Sequence, residues 1–141
     1  LHKGAGDEAD DFKPCKITYK KALDYYYEND FTLVLLGDVE ELWENKIQEV
    51  MDTHRDVFLS EERFSPNRYI RIAGNHDDAW NDSDAVATYL KPLHPNIEIL
   101  PGLVFEFDDG ELSWDSLDDD PVYIIYKNGS IYQVTTDSEI N

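Results

Sequence analysis

Two apolar runs, each ending at a glycine followed by polar residues, constrain this chain more than any other feature. The first run, residues 31–36, leads into Gly37-Asp38-Val39-Glu40-Glu41. The second, residues 69–73, leads into Gly74-Asn75-His76-Asp77-Asp78. Continuous apolar runs of this length are typical of strands covered on both faces by helices. Because ligands of open α/β sheets bind at the carboxyl ends of the strands, the two polar segments together form the predicted site.

Hydrophobic periodicity predicts further helices and strands around these two runs. Apolar residues at helical spacing predict helices over residues 19–28, 40–58 and 85–90. Alternating apolar residues predict strands over residues 96–100 and 103–107. The order strand, helix, strand, helix, strand predicts an α/β fold, with a layered sheet of mainly parallel strands flanked by helices.

The composition changes after residue 107. Residues 108–120 are rich in aspartate, which predicts an acidic turn region. Residues 122–126 and 131–135 are apolar and flank Lys127-Asn128-Gly129-Ser130. An Asn-Gly pair in this position is typical of the tight turn of a hairpin, so the chain is predicted to close with an antiparallel hairpin.

The charge and composition of the chain narrow the classes of function. With 31 acidic and 12 basic residues among 141, the formal net charge is −19, and such a surface disfavours nucleic-acid binding through a basic face. No apolar run has the length of a membrane span. The lone Cys15 excludes an internal disulfide and favours a reducing compartment, for which we predict the cytoplasm. The oligomeric state stays open.

The two polar segments, in this order, resemble two metal-binding blocks of the calcineurin-like metallophosphoesterases. Gly37-Asp38-Val39-Glu40-Glu41 matches the family's G-D-x-x-E block, and Gly74-Asn75-His76-Asp77 matches its G-N-H-D block. Leu1-His2 resembles the end of the D-x-H block, whose Asp is expected immediately before Leu1. The family's late Gly-His blocks have no counterpart, since the histidines of the sequence are His2, His54, His76 and His94 and none follows a glycine.

The resemblance extends through residue 107 and implies a fold and a domain organisation. The family fold is an αββα sandwich, so we expect residues 1–141 to form a single domain with part of that sandwich. A closing hairpin resembles the family's last strands, which follow the late histidine block. We therefore interpret residues 112–117 as a candidate junction at which a stretch of the domain is missing.

The resemblance also implies a dinuclear metal centre that hydrolyses a phosphomonoester or phosphodiester, in a small molecule or a phosphoprotein. Two divalent transition ions roughly 3.5–4 Å apart activate water and hold the phosphoryl oxygens, and mixed nitrogen and oxygen ligands suit Mn, Fe or Zn. By the resemblance, the metal ligands are His2, Asp38 and Asn75. His76 is the general acid, Asp77 orients it, and Glu41 supports a ligand or the start of a helix.

A shortage of ligands opens a second interpretation. Three ligands shared between two ions predict weak metal binding and poor or no activity. The alternative is a non-catalytic remnant of the fold that acts as an acidic interaction domain or a single-metal-binding domain. Considered separately, Asp38 is more simply a helix cap and Asn75 a turn residue. His54 lies on the apolar stripe of the helix predicted over residues 40–58, which favours a core-edge histidine with a local hydrogen bond over a metal ligand.

Overall fold

The fold is built around a short parallel sheet. The computed structural model of the chain describes residues 1–107, 110–115, 123–127 and 130–135. Strand β1 (Leu33–Leu36) pairs in parallel with β2 (Tyr69–Ile72), with Leu33 opposite Tyr69 and Leu36 opposite Ile72. Parallel bridges from Lys3 to Glu40 and from Ile72 to Leu100 extend the pairing. Both predicted strands are confirmed, and they end at the same edge of the sheet.

A second sheet is formed by the later strands, in the order β4-β3-β5-β6. Strand β3 (Gly102–Phe107) pairs antiparallel with β4 (Gly110–Asp115) and parallel with β5 (Tyr123–Lys127), and β5 pairs antiparallel with β6 (Ser130–Thr135). The strand predicted over residues 103–107 and the closing hairpin are therefore confirmed. The turn predicted at residues 128–129 lies outside the described residues.

Strand β4 corrects the acidic turn predicted over residues 108–120. Leu112 and Trp114 are apolar at every second position, and in the register of the sheet they stand opposite Phe105 and Leu103. Apolar residues at every second position favour a strand despite the acidic residues between them. The candidate junction at residues 112–117 therefore begins inside β4. Residues 116–117 of the junction and the acidic residues 118–120 lie outside the described residues.

The described part of the chain contains four α-helices: α1 (Lys16–Glu28), α2 (Ile47–Thr53), α3 (Arg55–Glu62) and α4 (Ser83–Ala85). A π-helical segment, Val86–Leu90, continues α4, and 3₁₀ turns lie at Lys13–Cys15 and Asp78–Asn81. The helices predicted over residues 19–28 and 85–90 are thus confirmed. None of the described helices combines the length and the apolar character needed to cross a membrane.

The single helix predicted over residues 40–58 is wrong at its start. Helix α2 begins only at Ile47, because the preceding residues bond to other segments of the chain. The Glu41 N–H donates to the Lys3 carbonyl and the Leu42 N–H to the His76 carbonyl, each at 3.0 Å. Residues whose N–H groups bond to distant segments do not form the i to i−4 ladder of a helix. A second break falls at His54, which separates α2 from α3.

The strand predicted over residues 96–100 is also wrong, except at its end. The Ile97 N–H donates to the His94 carbonyl at 3.0 Å and closes a turn. Within the described residues, Leu100 alone of this stretch joins a strand, through the bridge to Ile72 and an N–H bond of 2.8 Å to the Arg71 carbonyl.

The core covers both faces of β2. Ile70 and Ile72 pack with Leu100 and Leu103 on one face. On the other side of the sheet, a larger cluster joins buried residues of α2, α3 and the segment after β2: Met51, Phe58, Ala73, Trp80, Val86, Leu90, Leu93 and Ile97. One face of β2 is thus covered by Leu100 and strand β3, and the other by helices and the segment after β2. Helices packed against parallel strands confirm the predicted α/β class.

Candidate metal centre

Two glycines allow the ends of β1 and β2 to touch. Gly37 has a φ of +79°, and a Cβ there would lie 2.9 Å from the Cα of Gly74. A Cβ on Gly74 would lie 2.3 Å from Oδ1 of Asp38. Any side chain at Gly74 would therefore push the two loops apart, because real Cβ atoms do not approach other atoms so closely. The glycines of both motifs are explained by this contact.

Asp38 joins three of the segments that carry predicted site residues. Its Oδ1 accepts the His76 N–H at 3.0 Å, and its carbonyl accepts the His2 N–H, also at 3.0 Å. Asp38 has a φ of +50°, a left-handed conformation that aspartate tolerates better than most residues. Asn75 is half-buried and lies between Gly74 and His76 in the same loop. The predicted residues His2, Asp38 and His76 are thus brought together at the sheet edge.

Glu41 lies at the centre of the site. Its Oε2 is 3.1 Å from Nδ1 of His2 and 2.6 Å from Nδ1 of His76. The two imidazole rings meet edge to face with centroids 4.6 Å apart. Burial raises the pKa of Glu41, but the bonds from His2 and His76 outweigh burial and lower it. Of the two supporting roles expected for Glu41, the contact with the predicted ligand His2 agrees with the first, whereas the helix start does not, because α2 begins only at Ile47.

Trp43 covers one side of His76. The two rings stack with centroids 4.2 Å apart and planes inclined by 24°, while Trp43 stays 61% exposed. Trp43 lies within the residues 40–58 for which the sequence predicts an amphipathic helix. The spacing of apolar residues could not show that Trp43 stacks on His76. Trp43 lies before helix α2, which starts only at Ile47, so it does not belong to the apolar face of that helix.

The expectation that Asp77 orients His76 is wrong. In the described part of the chain, the His76 ring bonds to Glu41, while the carboxylate of Asp77 is fully buried and faces backbone N–H groups. Its Oδ1 accepts from Gly74 at 2.6 Å and Asp38 at 3.1 Å, and its Oδ2 accepts from Val39 at 3.0 Å. The carboxylate of Asp77 therefore holds the two strand-end loops together.

A network of buried charges lies behind the site. Its members are fully buried: Lys3, Glu40, Glu61, Arg71 and Asp77. Lys3 Nζ lies 2.9 Å from Glu61 and 3.1 Å from Glu40, and Arg71 pairs with both Glu40 and Asp77. Although burial raises the pKa of Glu40, Arg71 and Lys3 bring it down to about 2. One signal in the sequence pointed to the network, namely Arg71 in the middle of an apolar strand.

The remaining histidines lie away from the centre. His54 is buried, and its Nε2 lies 2.8 Å from Oδ2 of Asp10, so the predicted core-edge role with a local hydrogen bond is confirmed. His94 is buried against the ring of Tyr69, with centroids 4.3 Å apart.

The donor atoms of the centre fit a metal ion. Among the described His, Cys, Asp and Glu residues, His2, Glu41 and His76 form the group whose donor atoms lie within 4.8 Å of one another. Two imidazole nitrogens and a carboxylate oxygen suit the divalent transition metals. Of the ligands that the resemblance implies, namely His2, Asp38 and Asn75, the group contains His2. The chain matches no family model, no curated protein and no solved structure. The site is therefore interpreted from its own geometry.

Proposed function

We propose that this chain is a metal-dependent phosphoesterase that hydrolyses a phosphomonoester or a phosphodiester at the shared end of β1 and β2. The observation that supports the proposal most is the 3.0 Å bond from the His76 N–H to Oδ1 of Asp38. It joins the ends of the two strands whose motifs resemble the metallophosphoesterase blocks. In the proposed fold, the two sheets correspond to the two halves of an αββα sandwich.

The chain's own side chains have distinct parts in the proposed reaction. Metal ions, when bound, supply an activated water and neutralise charge on the phosphoryl oxygens. His2, Asp38 and Asn75 offer nitrogen and oxygen ligands for them, and the imidazole of His76 donates a proton to the departing alkoxide. Glu41, not Asp77, sets the orientation of that imidazole, since its Oε2 lies 2.6 Å from Nδ1.

The charge around the centre favours metal binding over unaided phosphate binding. The chain carries a formal net charge of −19, and a phosphate ester approaching such a surface is repelled unless cations intervene. Divalent ions at the sheet edge would reverse the local potential where the phosphoryl group must sit. Hydrolysis is therefore expected to depend strictly on added metal.

The test is hydrolysis of p-nitrophenyl phosphate and bis-p-nitrophenyl phosphate by metal-stripped protein, with Mn²⁺, Fe²⁺ or Zn²⁺ added back. We expect slow, metal-dependent release of p-nitrophenol that falls by about 100-fold in Asp38→Asn, a loss at the upper end of those caused by altering metal-site residues. Asp11→Asn removes an exposed carboxylate and is the matched control, with unchanged turnover expected. Absence of turnover with all three metals would contradict the proposal, as would turnover that survives Asp38→Asn.

The close grouping of His2, Glu41 and His76 favours a second candidate, a single-metal-binding domain without catalysis. Metal analysis of the purified chain separates the two. Two bound transition ions per chain support the dinuclear enzyme, whereas one ion without turnover supports the binding domain. A chain that binds no ion would instead be an acidic interaction domain.

A further inference from the structure

Three side chains from separate segments converge on one point beside the end of β1. His2 comes from the start of the chain, Glu41 from the loop after β1, and His76 from the loop after β2. We propose that these three residues bind one divalent transition metal ion at a site of their own, with Glu41 and His76 as direct ligands. The resemblance assigns neither of these two residues to metal binding. The site lies within the proposed phosphoesterase centre and so rests on that proposal for its location.

The distances between the donor atoms fit a single ion. Metal bonds of about 2.1 Å that meet at right angles put neighbouring donor atoms about 3.0 Å apart. The corresponding distances from Glu41 Oε2 are 3.1 Å to His2 Nδ1 and 2.6 Å to His76 Nδ1. Small side-chain rotations would therefore admit an ion, without a change in the fold.

The donor set is one that metal proteins use. Two histidines and one carboxylate on one side of an ion leave its other positions open for water or substrate. In the described structure, the second carboxylate oxygen of Glu41, Oε1, is buried and lacks a hydrogen-bond partner. A buried polar atom without a partner is costly, and coordination of an ion through both carboxylate oxygens would satisfy it.

The backbone beneath the three side chains is already held in place. The N–H of His2 donates to the Asp38 carbonyl, and the N–H of Glu41 donates to the Lys3 carbonyl, both at 3.0 Å. The N–H of His76 donates to Oδ1 of Asp38 at the same distance. Ligands on a preorganised backbone lose less entropy on binding, so we expect affinity without coupled folding.

Binding at this site changes the state of His76. A nitrogen whose lone pair is given to an ion cannot hold a proton, so Nδ1 of His76 would no longer be protonated or bonded to Glu41, and the proton that the proposed reaction takes from His76 would have to come from Nε2. Trp43 stacks on this ring at 4.2 Å and so reports on it. Bound Co²⁺ is expected to quench the fluorescence of Trp43, because the paramagnetic ion would sit against the neighbouring ring.

The experiment is equilibrium dialysis and a fluorescence titration of the metal-stripped chain with Co²⁺, with no substrate present. We expect a tightest site that holds one ion per chain, with a binding constant at least 10-fold weaker in Glu41→Gln and in His2→Ala. Glu49→Gln is the matched control, since Glu49 is an exposed carboxylate on α2 that pairs with Lys46. Trp43→Phe should abolish the quenching of Trp43 fluorescence. Dialysis of this variant should still find one Co²⁺ ion per chain at the tight site.

Circular dichroism checks that each variant is folded. If Glu41→Gln does not fold, His2→Ala still tests the site, because His2 is half-exposed near the start of the chain and its substitution should disturb the fold less. Unchanged Co²⁺ affinity in a folded Glu41→Gln or His2→Ala variant would overturn the proposal. So would loss of the ion in Asp38→Asn but not in Glu41→Gln. The outcome is separable from that of the proposed function. One ion bound through Glu41 without hydrolysis refutes only the phosphoesterase, whereas hydrolysis with no ion at Glu41 refutes only this site.

Discussion

Substitution of Asp77 by Asn tests whether this residue holds the site loops together or acts in catalysis. The carboxylate of Asp77 accepts the N–H groups of Gly74 and Asp38 at Oδ1, and the Val39 N–H and the Arg71 guanidinium at Oδ2. Every group that faces it is a donor. Asn replaces one acceptor oxygen by an NH₂ group, and either orientation of the amide sets that NH₂ against two donors.

The magnitude follows from these four bonds. A buried hydrogen bond to a charged group contributes about 1.5–3 kcal/mol, and two such bonds are lost whichever way the amide turns. Arg71 keeps its pairing with Glu40, so the guanidinium is not left wholly without a partner. Removing one member of a buried ion pair destabilises by about 3–5 kcal/mol. We therefore expect the free energy of unfolding to fall by about 3–5 kcal/mol in Asp77→Asn.

Urea denaturation followed by circular dichroism measures this change. The control is Asp78→Asn, because Asp78 is the exposed neighbour on the 3₁₀ turn, and its variant should stay within about 0.5 kcal/mol of the parent. A loss below about 1 kcal/mol in Asp77→Asn would refute the reasoning, since it falls short of even one charge-assisted bond. Unchanged stability with a large loss of hydrolysis would restore the catalytic role implied by the resemblance.

Two further predictions concern buried ionisable groups. Lys3→Met leaves Glu40 and Glu61 without their shared ammonium and is expected to lower the free energy of unfolding by about 3–5 kcal/mol in urea denaturation. The control is Lys46→Met, at a lysine 84% exposed, which should change the free energy of unfolding by less than about 0.5 kcal/mol. Equal effects of the two substitutions would refute the buried network. Burial, with Arg71 and Lys3 nearby, lowers the pKa of His94 from 6.5 to about 4. The unfolded chain therefore binds a proton at His94 more readily than the folded chain does. The free energy of unfolding should fall by about 3 kcal/mol as the pH drops from about 6.5 to about 4. His94→Gln should flatten this part of the pH profile of unfolding, and an identical profile in the variant would contradict the assignment.

The strand ends were predictable because their signal is local. Each run is mainly apolar, and each stops at a glycine that the opposing loop requires to be small. Parallel pairing of the two strands follows from the alternation with helices. The closeness of Asp38 and His76 then follows from topology alone, since carboxyl ends of parallel strands share an edge of the sheet.

The start of helix α2 was not predictable, because long-range bonds determine it. Periodicity placed residues 40–46 in the helix, yet Glu40 is buried against Arg71 and the Leu42 N–H donates to His76. These partners are more than 30 residues away in sequence, as the 31-residue separation of Glu40 and Arg71 shows. Helical periodicity depends on residues three or four apart, so it contains no information about partners this distant in sequence. Here the long-range bonds override the local preference for a helix.

The partner of His76 was assigned wrongly for a related reason. Adjacency in the motif Asn-His-Asp suggested that Asp77 supports His76, but neighbouring side chains usually diverge. Here Asp77 turns into the interior while His76 turns toward Glu41 at the edge. The direction of a side chain in an irregular loop depends on φ and ψ, which the residue types alone do not determine.

The buried charges lie next to the proposed three-residue site along the chain, and we propose that they hold its segments in position. Replacement of a buried ion pair by apolar residues is often neutral or stabilising, so stability alone does not account for the network. Each residue of the three-residue group is the immediate sequence neighbour of a network member: His2 of Lys3, Glu41 of Glu40 and His76 of Asp77. Apolar side chains would fill the same space without directional bonds, and each segment could then rotate or slide. Hydrogen-bonded charges instead fix the position of each backbone segment, and a three-ligand site whose residues come from three segments needs that alignment to within about 0.5 Å.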